Sequence, residues 1–266
     1  MSLFTPTAQA QLEEPPQVSL LTFAPGEVYW QRFAHNALLL RAASGQAAVF
    51  NYGIFDFRQK NFFLNFARGR MLYRLDVDSL DRTLRLYAAE GRWIYEQRLD
   101  MSVEQRRELA AYLAANLKPE NVEYRYDYFA DNCSTRVRDA LDTVLGGQLR
   151  EQLEPQPTAV TYRSEVLRLM APEPPLMIGM DLGLGPRVDR PIDLWQRSFL
   201  PLTLMEAVRG VRVEGGGASR PLVQAEGWLY RPPASAARPG RGARTGPSAR
   251  TASSTCTRRS SSATGC

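Results

Sequence analysis

The chain has 266 residues, 44% hydrophobic and 10% aromatic, which is enough to build the core of one large domain or two small ones. Its net charge of +5 is unevenly distributed, because residues 231–266 carry seven Arg and no acid, which leaves 5 − 7 = −2 for residues 1–230. This balance, with no basic stripe in the body, argues against a nucleic-acid-binding protein, and the absence of any run of 18 apolar residues argues against a transmembrane span.

Residues 1–24 are predicted to form a flexible N-terminus. They contain the segment Ala8-Gln9-Ala10, which resembles the cleavage site of a secretory signal peptide whose charged and apolar regions are missing. We therefore expect an exported protein that carries the remnant of a signal.

Strand patterns dominate the first part of the body and helix patterns the second. Strands are predicted at residues 36–41, 47–57, 71–77 and within 80–99. Helices are predicted at residues 61–68, 102–117, 133–145 and 164–170, and a helix or a strand pair at 201–210. The helix after Ser102 is the clearest, because Ser102 and Gln105 have capping-box spacing and Pro119 ends the pattern. Residues 172–191 are predicted to be a Pro/Gly loop, and the fold class is predicted to be α+β.

The two ends of the body differ in composition. Residues 25–210 are predicted to form the catalytic domain, and residues 211–230 the start of a further segment that is cut short. Residues 231–266 consist almost entirely of Arg, Ala, Ser, Gly, Pro and Thr, and they cannot bury enough apolar surface to offset the loss of chain entropy. We expect this tail to be disordered, and its composition is typical of an out-of-frame reading of GC-rich DNA.

One cysteine and one histidine dominate the foldable part of the chain. His35 is the only histidine, and Cys133 is the only cysteine outside the tail, which holds Cys256 and Cys266. A thiol with an imidazole base is the smallest set that makes a covalent nucleophile. Cys133 falls where a loop becomes a helix, so free backbone N–H groups and the helix dipole are expected to lower its pKa and to hold an oxyanion.

A base of this kind needs an acceptor that orients its second ring nitrogen. Asn51, Asp56 and Asn36 are candidates for that role towards His35, and Asn51 lies on the strand that follows. The competing interpretation is that His35 and Cys133 are ordinary core residues. The polar segment around Cys133, Asp131-Asn132-Cys133-Ser134-Thr135-Arg136, favours a functional site.

Four side chains near Cys133 are predicted to bind substrate or the oxyanion: Tyr126, Asn132, Ser134 and Arg136. Arg136 could instead form an ion pair with a nearby aspartate such as Asp131, the usual role of a surface arginine. No metal site is predicted, because one Cys and one His are too few for tetrahedral zinc and no CxxC or HxxxH spacing is present. No cofactor is predicted.

Several segments together resemble the Lnb N-terminal periplasmic domain family, formerly a domain of unknown function. The matching segments are residues 30–38 around His35, 51–57, 61–62 with Gly69, 87–99, 126–138 around Cys133, 189–191 and 199–201. The resemblance covers about residues 25–210. One departure is Ala34, where the family pattern has glycine before the histidine.

The resemblance implies a circularly permuted papain-like fold of the NlpC type, in which the histidine precedes the cysteine and the nucleophile begins a helix that packs on an antiparallel sheet. It also implies that Cys133 takes an acyl group as a thioester while His35 handles the protons. In the Lnb branch the acceptor is the α-amino group of the N-terminal cysteine of a lipoprotein.

We therefore expect a periplasmic enzyme acting on a lipid or lipoprotein of the cell envelope. The alternatives are an NlpC-like amidase or peptidase acting on peptidoglycan peptides, and a non-catalytic envelope-binding module. The oligomeric state is not predicted.

Overall fold

A seven-stranded antiparallel sheet organises the protein, in the order β11-β5-β1-β2-β3-β4-β6. The structure is a computed structural model that describes residues 14–55, 72–215 and 217–233. The strands of this sheet are β1 (Gln17–Phe23), β2 (His35–Arg41), β3 (Ala47–Ile54), β4 (Leu72–Ser79), β5 (Ile94–Leu99), β6 (Glu123–Arg125) and β11 (Val223–Tyr230). Two small hairpins pair β7 (Pro157–Thr161) with β8 (Pro191–Asp193) and β9 (Arg212–Gly215) with β10 (Ala218–Pro221).

The helices lie between these strands along the chain. They are α1 (Leu80–Ala89), α2 (Val103–Asn116), α3 (Cys133–Val144), α4 (Gln148–Leu153), α5 (Tyr162–Met170), α6 (Pro174–Gly183), α7 (Leu194–Arg197) and α8 (Pro201–Gly210). Two 3-10 turns span Tyr29–Phe33 and Pro186–Asp189. None of the helices in the described ranges is both long enough and apolar enough to cross a membrane.

The central strands are covered on both faces, which explains their nearly continuous apolar sequences. On one face Leu38 and Leu40 of β2 join the main core with α2, α3 and α8. On the other face Ala37 and Leu39 join a smaller cluster against α1. Since side chains alternate along a strand, consecutive residues of β2 face different helices.

The predicted α+β class with an antiparallel sheet packed on helices is confirmed. The predicted helices after Ser102, at Cys133, near residue 164 and at residue 201 are present as α2, α3, α5 and α8. The helix predicted at residues 61–68 and most of the tail predicted at 231–266 lie outside the described residues.

Four predictions need correction. Residues 17–23, placed in the flexible N-terminus, form the buried strand β1 between β5 and β2, because both faces of β1 meet core. Residues 80–99 contain α1 before β5, and Ser79 caps α1 by accepting from the Arg82 N–H. Residues 172–191 contain α6 rather than only a loop. Residues 211–230 belong to the same fold, since β11 pairs with β5.

Candidate active site

His35 is the first residue of β2, and the backbone places it there through an unusual turn. Ala34 ends the preceding 3-10 turn at φ 68° and ψ −166°. That region of backbone space is essentially reserved for glycine, which gives a physical reason for the glycine of the family pattern. The imidazole then packs on the ring of Phe23, the residue of β1 that pairs with His35, with ring centroids 5.4 Å apart.

Asn51 is the residue that the structure brings to His35. The His35 Nε2 atom lies 3.2 Å from Asn51 Oδ1, and the Asn51 amide group donates in turn to the Val49 carbonyl at 3.3 Å. Because Oδ1 only accepts, this arrangement puts the ring proton on Nε2 and leaves Nδ1 free to take a proton. Asn36 is bonded elsewhere, to Thr22 and the Leu21 carbonyl, and Asp56 lies outside the described residues.

The imidazole is held in its neutral form. The pKa of His35 is lowered from 6.5 to about 4, chiefly by burial; the Asn51 hydrogen bond opposes this shift, and the charge of Arg92 acts in the same direction as burial. Arg92 is fixed nearby by Glu90 at 2.7 Å and by the Ala24 carbonyl. At neutral pH His35 is therefore an unprotonated base.

Cys133 is the first residue of α3, and Asn132 fixes that helix end. The Asn132 side-chain oxygen accepts from the backbone N–H groups of Ser134 and Thr135, at 2.8 and 2.9 Å. Its amide group donates to the Tyr128 and Phe199 carbonyls. The side chain of Asn132 thus serves as the cap of α3, and its predicted oxyanion role stays a prediction.

The thiol of Cys133 is a weaker acid than the sequence suggests. Burial raises its pKa from 9.0 to about 11, and this outweighs the backbone N–H groups of Asn36, Ser134 and Cys133, which act to lower it. The prediction of a lowered pKa is wrong because desolvation of the thiolate exceeds the stabilisation by the helix end.

The start of α3 is tied to the start of β2 by the neighbours of the two candidate residues. Ser134 Oγ lies 2.9 Å from Asn36 Oδ1 and 2.7 Å from the Ser198 carbonyl, and all three residues are buried. β2 pairs with β3 only from Leu38 onward, so the beginning of β2 is open to α3. Ser134 is therefore a structural link in the resting protein, and its role in binding substrate stays a prediction.

Gly53 in β3 lies against the start of α3. It has φ +86°, which favours glycine, and a Cβ there would be in ordinary van der Waals contact, 3.4 Å from Cys133 Cβ and 3.6 Å from the Tyr126 ring. Gly53 was not predicted as part of the site, although a glycine inside an aromatic, β-branched strand signals close backbone approach. The backbone N–H of Asn36 was not predicted either, since no sequence pattern reveals it.

Tyr126 belongs to an aromatic wall beside Cys133. Its ring stacks on Tyr73 at 4.0 Å and meets Tyr128 edge-on at 5.5 Å. Burial and the neighbouring Cys133 hold the pKa of Tyr126 well above 10, so its hydroxyl remains a donor. This is compatible with the predicted role near an oxyanion.

Arg136 is engaged within the fold. Its guanidinium forms a two-pronged ion pair with Asp131 and lies 3.9 Å above the Tyr124 ring. The ion pair predicted as the alternative for Arg136 is present, and a substrate contact of Arg136 stays a prediction.

A cleft of about 430 Å³ opens beside the site. Its wall includes Arg32 and Phe33, which precede His35, and apolar residues of α8 such as Leu202 and Met205. Neither Cys133 nor His35 lines it. Within the described ranges, no group of three or more His, Cys, Asp or Glu side chains could hold a metal ion.

Comparison with known proteins identifies the family. No curated protein and no solved structure matches the chain. The model of the Lnb N-terminal periplasmic domain matches residues 5–167, which is more than half of the chain and includes His35, Asn51 and Cys133. The match starts and ends earlier along the chain than the predicted range of 25–210. The description of the family as a periplasmic domain points to the periplasm. The chain belongs to the Lnb N-terminal periplasmic domain family.

Proposed function

We propose that this protein catalyses acyl transfer through a thioester on Cys133, with His35 as the general base and a lipid or lipoprotein of the cell envelope as substrate. The observation that carries the proposal is that Cys133 begins α3, and that Ser134 and Asn36, 2.9 Å apart, tie this helix start to the start of the strand that begins with His35. The first turn of a helix presents backbone N–H groups at its start. Such donors stabilise the oxyanion of an acyl-transfer intermediate.

We also propose that the fold is a circularly permuted papain-like fold. Three features support this assignment: the base on β2 precedes the nucleophile in the chain, the nucleophile begins α3, and α3 packs on an antiparallel sheet. Asn51 then takes the position of the residue that orients the histidine.

The protonation states favour a general-base route over a resting ion pair. With a thiol of pKa about 11 and an imidazole of pKa about 4, both groups are neutral at pH 7. As the sulfur attacks the acyl carbonyl, the S–C bond forms and the thiol proton passes to Nδ1 of His35. Collapse of the intermediate expels the alcohol or amine of the donor, which takes that proton.

The second half of the reaction reverses these roles. An acceptor amine, or water, gives its proton to His35 and attacks the thioester carbonyl. The tetrahedral intermediate releases Cys133, which recovers the proton as a thiol. The neutral His35 is suited to both halves, because it starts each one ready to accept a proton.

The cleft supports an amphiphilic substrate. Its apolar wall contains Phe33, Leu200 and Met205, and Arg168 and Arg197 lie at its edge, where they share the carboxylate of the buried Glu165. Two guanidiniums on one carboxylate leave one positive charge, which suits an acyl chain with an anionic headgroup. The cleft size is within the range of small-molecule sites.

Intact-mass measurement tests this function. A Cys256→Ser/Cys266→Ser background leaves Cys133 as the only thiol, and it is incubated with detergent-dispersed diacyl phospholipid. We expect a mass increase of one acyl group, removed by a peptide with an N-terminal cysteine. His35→Ala should reduce acylation by about two to four orders of magnitude, and Cys133→Ser should abolish it.

Two results would contradict the proposal. Absence of any adduct from a panel of envelope lipids and lipopeptides would favour a binding module. Cleavage of peptidoglycan peptides, dependent on Cys133 and without lipid acylation, would favour an amidase.

A further inference from the structure

Helix α6 is an apolar helix that has no buried residue. Its sequence is Pro-Pro-Leu-Met-Ile-Gly-Met-Asp-Leu-Gly, and its single charged side chain is Asp181. Ile178 is 55% exposed and Leu182 is 83% exposed. A helix that is apolar on all sides normally lies inside a protein or a membrane, so this exposure calls for a covering partner.

The body of the protein holds α6 firmly at both ends. At the C-terminal end Arg163 of α5 bonds to Asp181 through both its backbone and side-chain oxygens at 2.7 Å, and to the Leu184 carbonyl at 2.9 Å. At the N-terminal end Arg32 bonds to Glu173 at 2.8 Å. The apolar surface is therefore presented by an anchored helix, and its only carboxylate is neutralised.

Positive charge lies beside this apolar surface. Arg187 and Arg190, on the turn after α6, are exposed and form no ion pair with any part of the chain that the structure describes. Arg163 pairs with both Asp181 and Asp189. The net charge of these two aspartates and three arginines is 3 − 2 = +1. The positive charges without an acidic partner among the described residues are those of Arg187 and Arg190.

We propose that α6 docks the protein on an anionic phospholipid surface, with Ile178 and Leu182 entering the acyl boundary and Arg187 and Arg190 meeting the lipid phosphates. A ten-residue helix is about 15 Å long, which suits a helix lying in the interface rather than one spanning the bilayer. The charge favours lipid over a second copy of the chain, because a twofold contact through α6 would bring these arginines together.

Docking through α6 would bring the candidate active site to the lipid surface. Arg32, which holds the N-terminal end of α6, is three residues before His35 and lines the cleft. The inference about α6 does not depend on the chemistry proposed for Cys133, because it rests only on exposure and charge.

Vesicle flotation of the full chain tests the inference. Wild-type protein should float with vesicles of phosphatidylcholine mixed with phosphatidylglycerol, and less with phosphatidylcholine alone. Leu182→Glu should weaken partitioning by about tenfold or more, since it removes a large apolar side chain from the lipid. Arg187→Glu/Arg190→Glu should remove the preference for anionic vesicles. Leu86→Glu on α1, at a leucine 53% exposed, is the matched control and should bind as wild type.

Three outcomes would overturn the inference. The first is that the wild type does not float with the vesicles, or that Leu86→Glu loses as much vesicle binding as Leu182→Glu. The second is a wild-type dimer, seen by light scattering, that Leu182→Glu dissociates, because a second copy would then cover α6. The third is a lower melting temperature for Leu182→Glu, which would show that the chain itself covers the helix. Acylation of Cys133 from detergent-dispersed lipid should be unchanged in Leu182→Glu, so a failure of docking is distinguishable from a failure of the proposed enzyme.

Discussion

Cys133 should be an unreactive thiol in the resting protein, in contrast to many nucleophilic cysteines. Burial raises its pKa from 9.0 to about 11. This rise opposes ionisation by about 3 kcal/mol and lowers the thiolate fraction at neutral pH about 100-fold. Because the thiolate is the species that reacts, alkylation should slow by about the same factor.

Iodoacetamide alkylation of the Cys256→Ser/Cys266→Ser protein, followed by intact mass from pH 6 to 10, measures this effect. The same protein in urea is the control, since unfolding exposes Cys133 and should restore the rate of an ordinary thiol. His35→Gln should change the native rate little, because an imidazole of pKa about 4 carries no charge at pH 7.

A native rate at pH 7 equal to or above that of the unfolded chain would refute the reasoning. It would mean that the N–H groups of Asn36, Ser134 and Cys133 outweigh burial. A fast native reaction that His35→Gln slows would point instead to a resting thiolate–imidazolium pair. Either result would support the expectation from the sequence that the pKa of Cys133, at a helix start, is lowered.

Three further predictions concern the surroundings of the site. Gly53→Ala should lower the free energy of unfolding by about 1–2 kcal/mol, because alanine is strained in a left-handed backbone. It should also lower activity, because the backbone adjustment takes place beside Cys133. Gly45 has φ +89° and no neighbour within 4 Å of a built Cβ. Gly45→Ala is therefore the control: it should lower the free energy of unfolding by the same backbone strain and leave activity unchanged. The neutral His35 should contribute fully to the free energy of unfolding above pH 6.5, and this contribution should be lost as the pH falls through 4. The reason is that the unfolded chain, with the higher histidine pKa, binds the proton first. The loss is roughly 3 kcal/mol. Urea titrations of wild type and His35→Gln should therefore differ in pH dependence over that range, and parallel curves would contradict the shift. Ser134→Ala should destabilise the fold by about 1–3 kcal/mol, because the single hydroxyl proton that the buried Asn36 and Ser198 oxygens share is lost; a thermal melt within error of wild type would argue against this link.

The sequence alone located the features that depend on neighbouring residues. The capping-box spacing of Ser102 and Gln105 predicted where α2 begins, and the polar segment before the apolar periodicity of residues 137–145 predicted where α3 begins. The same local pattern placed Cys133 in the first turn of a helix. The departure at Ala34 was also visible in the sequence, although only its φ of 68° explains why glycine suits that position.

Features that depend on distant parts of the chain required the tertiary structure. β1 is paired with both β2 and β5, and β11 joins the same sheet through β5, so neither the N-terminal nor the C-terminal boundary could be inferred from local composition. The antiparallel pairing of β2 with β3 and the resulting hydrogen bond selected Asn51 over Asn36 as the partner of His35. The pKa values of Cys133 and His35 were likewise decided by the fold, because desolvation depends on everything that packs around a group and only the assembled core supplies it.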